Sequence, residues 1–176
     1  MIRTIFLLCA LVVPSFAQMD VKPPDWQPFK YFVGSWEGTT KGEVGNGKSE
    51  REYKVALNGT FLEVKTRSTI TPPDKNAKSE VHEDFGYMSY DQMRKKYVLR
   101  QFHSEGFVNQ YVLSSMAADN KISTWESESI ENIESGWRAR EKFKVVSNDE
   151  FVEIFELAPP GQDFSTFTET TFKRKR

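Results

Sequence analysis

The chain has 176 residues, 24 basic and 25 acidic side chains, a formal net charge of −1, and 38% hydrophobic and 14% aromatic content. This length suits one domain with at most a short appendage, and the balanced charge leaves no global field to concentrate nucleic acid or anionic membrane. One cysteine and two histidines exclude a disulfide framework and paired-thiolate metal sites and leave little scope for a multi-histidine site, while fourteen Phe, six Tyr and four Trp need a folded interior.

Residues 1–17 read as a secretory signal peptide. Arg3 gives a positive start, Ile5 to Val13 a short apolar run, and Ser15-Phe16-Ala17 small residues suited to cleavage before Gln18. The run is far shorter than the ~20 residues a membrane-spanning helix needs. Acylation at Cys9 is disfavoured by the bulky Leu8 before it and the short leader. The expected product is exported, periplasmic or extracellular, and free of cysteine. Without disulfides its stability must come from core and hydrogen bonds, which makes a closed sheet attractive. The expected organisation is a signal peptide over 1–17, an extension and plug over 18–33, and a single barrel domain over 34–176.

After Pro23-Pro24-Asp25-Trp26-Gln27-Pro28, Phe29 to Val33 suits one helical turn ending at Gly34. Beyond it the pattern is that of strands. Nine clusters with turn chemistry, among them Gly45-Asn46-Gly47, Asn58-Gly59, Asp91-Gln92, Glu105-Gly106 and Pro159-Pro160-Gly161, separate ten segments. Asn58-Gly59 reads as a two-residue hairpin. Alternation is clearest in Arg51–Leu57, where Tyr53, Val55 and Leu57 share a face, and in Trp137–Val145, where Arg138, Arg140, Lys142 and Lys144 share the opposite one. Ten short strands in a meander predict an all-β fold, either a sandwich or a closed antiparallel up-and-down barrel. Short hairpins favour the barrel. Lys173–Arg176 reads as a frayed, solvated strand end.

Two stretches resemble a known group. Gly34-Ser35-Trp36-Glu37-Gly38 resembles the Gly-x-Trp opening of calycin-type barrels, the lipocalin and fatty-acid-binding-protein group, in which that Trp packs into the barrel base. Phe85–Asp91, Lys96–Leu99 and His103–Gly106, with the Leu57–Leu62 hairpin, resemble the uncharacterised bacterial DUF1579-type family. Met88-Ser89 interrupts that family's Gly-Tyr-Asp run, and His103 stands where it tends to place an acid. The resemblance implies a ten-stranded lipocalin-like barrel and supplies no activity. Nitrobindin, a more distant haem-binding relative, places its iron ligand in the late strands. No histidine follows His103 here, so haem is disfavoured and no cofactor is expected.

Glu141 is the exception in the charge sorting. It shares a strand face with Trp137, Ala139, Phe143 and Val145, so its carboxylate should point inward. A buried carboxylate costs several kcal/mol unless it is paired or protonated. Arg51, on the face of Tyr53, is a candidate partner. A closed polar network or a bulge that turns Glu141 outward would be the structural alternative. Trp36 reads mainly as a plug. Gln101 and His103 share a face of a strand that is mixed on both sides, and His103 reads as a rim residue able to take a ligand or proton. His82, in the charged run Glu80–Asp84, reads as a surface residue; only Asp84 shares its face, which disfavours a metal.

The expected function is an exported, non-enzymatic carrier or sensor of a small apolar or amphipathic molecule held within the barrel. Its expected ligand-binding set is Trp36, Arg51, Tyr53, Tyr87, Gln101, His103, Tyr111, Trp125, Trp137 and Glu141. Arg51 would take an anionic head and Glu141 a cationic or hydroxylated one. No catalytic residue, metal, nucleic-acid partner or membrane span is expected, and oligomeric state is left open. The alternatives are a self-filled interaction barrel and an acid–base isomerase or cyclase using Glu141 or His103.

Overall fold

The structure, a computed structural model, describes residues 22–74 and 76–176. The expected signal peptide over 1–17, with Cys9, lies outside the described residues. A 3₁₀ turn over Gln27–Phe32 precedes ten strands: β1 (Gly34–Gly42), β2 (Gly45–Ala56), β3 (Phe61–Thr71), β4 (Glu80–Asp91), β5 (Lys96–His103), β6 (Val108–Met116), β7 (Ile122–Glu131), β8 (Arg138–Ser147), β9 (Glu150–Ala158) and β10 (Ser165–Arg174). Each pairs antiparallel with its chain neighbours, and β1 closes on β10 into a barrel. Closure removes both sheet edges, which a meander of this length would otherwise leave open. Among the described residues no helix is long and apolar enough to cross a membrane.

Alternation sorts side chains as the sequence requires. On β1, Trp36, Gly38 and Thr40 are buried between exposed neighbours. One end of the barrel is stoppered by the 3₁₀ turn, whose Phe29 and Phe32 pack on Trp36, Tyr53, Trp125 and Phe151. Each such aromatic contributes roughly 1.5–3 kcal/mol by leaving water. The indole N–H groups are also used: Trp36 Nε1 donates to Phe32 O at 2.7 Å and Trp26 Nε1 to Gly59 O at 2.7 Å.

Three expectations are corrected. Gly45-Asn46-Gly47 is strand, not turn; the hairpin bends at Glu43-Val44, and Gly45 opens β2 with φ +125°. Leu57–Thr60 forms a four-residue connection between the paired Ala56 and Phe61, with positive φ at Leu57, Asn58 and Gly59, so Asn-Gly is not a two-residue hairpin. Lys173–Arg176 is not frayed. Arg174 ends β10 and donates to Val33 O (3.0 Å) and Tyr31 O (2.7 Å), its guanidinium lies 4.1 Å from the Trp36 ring centroid, and Lys175 N–H donates to Ser35 O. The last strand thus clamps the plug.

Candidate functional site: a polar belt inside the barrel

Above the plug layer the interior turns polar. Arg51 on β2 forms an ion pair with Glu153 on β9 at 2.8 Å, and both residues are less than a tenth exposed. Its Nε donates to Thr66 Oγ1 (2.9 Å) and its NH1 to Tyr53 OH (3.3 Å), while the guanidinium sits 4.5 Å from the Phe172 ring centroid. Arg51 therefore has a full set of partners. Its salt-bridge partner is Glu153, not Glu141 as expected. Glu153 was legible by the same rule that found Glu141, since it shares a face with Phe151 and Phe155 on β9. Burial raises the Tyr53 hydroxyl to about 12, although Arg51 opposes this, so the phenol stays protonated.

Glu141 points inward from β8, in register with Trp125 on one side and Phe155 on the other, and is 4% exposed. Burial pushes its carboxyl up to about 8; the Glu153 carboxylate adds to the rise, while Arg51 and the Gln101 amide oppose it. Burial thus favours the protonated form at neutral pH. Among the described residues, Glu141 Oε2, Gln101 Oε1, Asn109 Oδ1 and Trp125 Nε1 are buried without a hydrogen-bond partner. Gln101 and Asn109 face each other directly across β5 and β6. Asn109 Nδ2 donates to Tyr111 OH at 2.7 Å, and burial raises the Tyr111 hydroxyl well above its usual value. Leaving a buried polar atom unpaired costs about 1–3 kcal/mol, so three such oxygens on β5, β6 and β8 carry a substantial penalty.

Trp36, Arg51, Tyr53, Gln101, Tyr111, Trp125 and Glu141 all lie in the interior. Trp137 is half-buried just before β8, at the end opposite the plug. Tyr87 does not join them. It points out of β4, donates to Glu63 Oε2 at 3.0 Å and packs on Phe61 and Phe85. The inward neighbour is Gly86, where a Cβ would come within 2.6 Å of Arg100 O. His103 lies at the mouth with 13% of its side chain exposed: Nδ1 is 2.6 Å from Asp84 Oδ1, Nε2 is 3.2 Å from Asn109 Nδ2, and Phe107 stacks on the ring. His82 lies at the exposed rim of the same mouth, where its Nδ1 touches Glu105. A concavity of about 770 Å³ runs over β1–β5. Most of its lining, including Glu52, Lys65, Phe85 and Phe102, carries outward side chains, so it is chiefly a furrow in the outer wall, bordered by Arg51 and Thr66 of the belt and by His103.

No family profile matches the chain, and no curated protein is similar to it. Solved structures are. The crystal structure of Rv2717c from M. tuberculosis superposes with a TM-score of 0.63 at 16% identity, covering 87% of this chain and 98% of that one. The S-type phycobiliprotein lyase CPES from Guillardia theta gives 0.49 at 10% identity, covering 84% and 90%. A redesigned β-barrel gives 0.43 at 11% identity, covering 83% and 93%. What the chain shares with Rv2717c is the fold, a calycin-like antiparallel barrel.

Proposed function

We propose that the barrel is a non-enzymatic binding protein for a small amphipathic molecule, held with its polar head against Glu141, Gln101 and Asn109. The observation that carries this reading is the set of buried oxygens on β5, β6 and β8 that have no partner among the described residues. A barrel filled only by its own side chains has no reason to bear that cost. Tyr111, Trp125 and Phe143 supply the apolar wall. Arg51 is already engaged by Glu153, Thr66 and Tyr53, which favours a hydroxylated or amine-bearing head at Glu141 over an anionic one at Arg51. The protonated Glu141 donates to a hydroxyl or carbonyl oxygen, or passes its proton to an amine. Export by the leader, to a periplasm or beyond the cell, belongs to the same reading, as does the narrower resemblance to the DUF1579-type family.

Native mass spectrometry of the protein purified from its own host tests this. A co-purifying small molecule is expected, with Glu141→Gln weakening its retention. Bare protein that also fails to bind fluorescent amphiphiles would overturn the reading. A second reading is an acid–base enzyme, favoured by the position of the Glu141 pKa near 8; conversion rather than retention of the bound molecule would select it.

A further inference from the structure

We propose that the mouth of the barrel binds one divalent transition-metal ion, of the Zn²⁺ class, through His82, Asp84, His103 and Glu105. The chain contains two histidines, and the β4–β5 hairpin brings both to one place. Asp84 pairs directly with His103, and His82, two residues earlier on β4, projects from the same face. The turn after β5 then folds Glu105 back over β4. It is pinned there by Ser104 N–H donating to Glu83 O (2.9 Å), Glu83 N–H donating to Ser104 Oγ (3.1 Å) and Gly106 N–H donating to His103 O (2.9 Å). The Glu105 carboxylate meets His82 Nδ1.

The ligand atoms of Asp84, His103 and Glu105 lie within 4.8 Å of one another, and His103 Nδ1 is 2.6 Å from Asp84 Oδ1. A tetrahedral ion with bonds near 2.0–2.2 Å separates its ligand atoms by about 3.3 Å, so these three need only small adjustments, while His82, which touches Glu105 and lies 3.8 Å from Glu80, must swing inward to complete the set. Among the described residues, Asp84 and Glu105 form ion pairs only with these imidazoles and with no lysine or arginine.

Asn109 gives an independent pointer. It is 2% exposed, its amide reaches His103 Nε2, and its Oδ1 is without a partner among the described residues. Turning the amide over puts Oδ1 on His103 Nε2–H and on the Tyr111 hydroxyl. His103 then presents its Nδ1 lone pair toward Asp84 and Glu105, the tautomer a metal ligand requires. Phe107, stacked at 4.1 Å, fixes the ring plane. Two imidazoles and two carboxylates suit Zn²⁺, Co²⁺ or Ni²⁺ and not Mg²⁺ or Ca²⁺, which prefer all-oxygen sets. The His82 and Glu105 side chains are 36% and 37% exposed, so an ion can enter from solvent. The two sites share Asn109: with its amide turned, Oδ1 belongs to His103 and Tyr111, and the belt keeps the free oxygens of Glu141 and Gln101.

The test is isothermal titration of the full chain, free of any histidine tag and stripped with chelator, with Zn²⁺ alone. One ion per chain at micromolar affinity or tighter is expected, with millimolar Mg²⁺ unable to compete. His103→Ala also strips the Phe107 stack and the Asn109 contact, so the deciding variants are His82→Ala and Glu105→Gln at the exposed rim. Each should weaken binding about tenfold or more, and Asn109→Leu should weaken it through His103 alone. Absence of saturable Zn²⁺ binding, displacement by Mg²⁺, or wild-type affinity in both rim variants would overturn the proposal and leave two plain histidine–carboxylate pairs.

Discussion

Arg51 and Glu153 meet inside the barrel at 2.8 Å from strands that are separated by β1 and β10. The pair therefore exists only because the sheet closes. Removing one partner leaves an uncompensated buried charge, so Arg51→Met should destabilise the protein by about 3–5 kcal/mol. Replacing both, as Arg51→Met with Glu153→Leu, should recover most of that loss, because well-packed apolar side chains avoid the desolvation cost of both ions. Urea denaturation with unchanged m-values measures it. Equal losses in the single and double variants would mean that packing on Phe172 and the Thr66 hydrogen bond, not charge, hold this layer together.

Glu141 makes stability fall as pH rises. Its folded pKa is about 8, above the ordinary carboxyl value of 4.5 from which it starts. Between those values the unfolded chain has released the proton and the native chain keeps it, so the native state loses ground across that window and levels off above it. The wild type should therefore lose on the order of 3 kcal/mol relative to Glu141→Gln between pH 5 and pH 8. Paired chemical denaturation curves at the two pH values check this. Parallel pH dependence of the two proteins would show that Glu141 is ionised in the native state.

Much of this architecture was legible in the sequence. Ten strands, the closed meander and the inward turn of Glu141 follow from turn residues and period-two alternation, which are local properties. What was misread depends on distance or on bulk. Arg51 was matched to Glu141 because which carboxylate faces it is decided by closure and stagger of the barrel, which alternation within one strand does not encode. Tyr87 is misjudged by a rule that assigns aromatic bulk to the interior. On β4 the bulk is outside, since the inner position at residue 86 tolerates only glycine and Phe85 is occupied by Lys65 lying over its ring. Between β6 and β7 the register shifts twice, at Glu128 of β7 and at Ser114 of β6, and each extra residue resets the alternation of its strand. Alternation within single strands does not bring the two histidines together; the turn at Ser104–Gly106, which folds Glu105 onto His82, does.

The carboxyl-terminal clamp predicts a defined loss. Arg174 satisfies two plug carbonyls and covers Trp36. Arg174→Ala should cost about 1.5–3 kcal/mol, the range for hydrogen bonds to a charged group. Arg174→Lys should rescue little, because an ammonium cannot reproduce the planar fork that reaches both carbonyls while lying on an indole. Thermal unfolding, with near-ultraviolet circular dichroism reporting on Trp36, separates the variants. Full rescue by lysine would reduce the clamp to a surface charge.

Two glycines of the mouth should respond differently to alanine, for reasons the sequence alone does not distinguish. Gly47 has ordinary strand dihedrals, yet an added Cβ would lie 2.3 Å from Thr69 O and 2.6 Å from Ile70 Cδ1. The first of these is backbone of the paired strand and cannot rotate away, so Gly47→Ala must push β2 from β3. Overpacking of this kind costs about 1–3 kcal/mol. Gly106 has open space around it and only its φ of +93° to lose, a penalty nearer ~1 kcal/mol. The urea midpoint should therefore fall further for Gly47→Ala than for Gly106→Ala. The reverse order would mean that the mouth hairpin yields easily and that strain in the β5–β6 turn, which carries Glu105, dominates this end of the barrel.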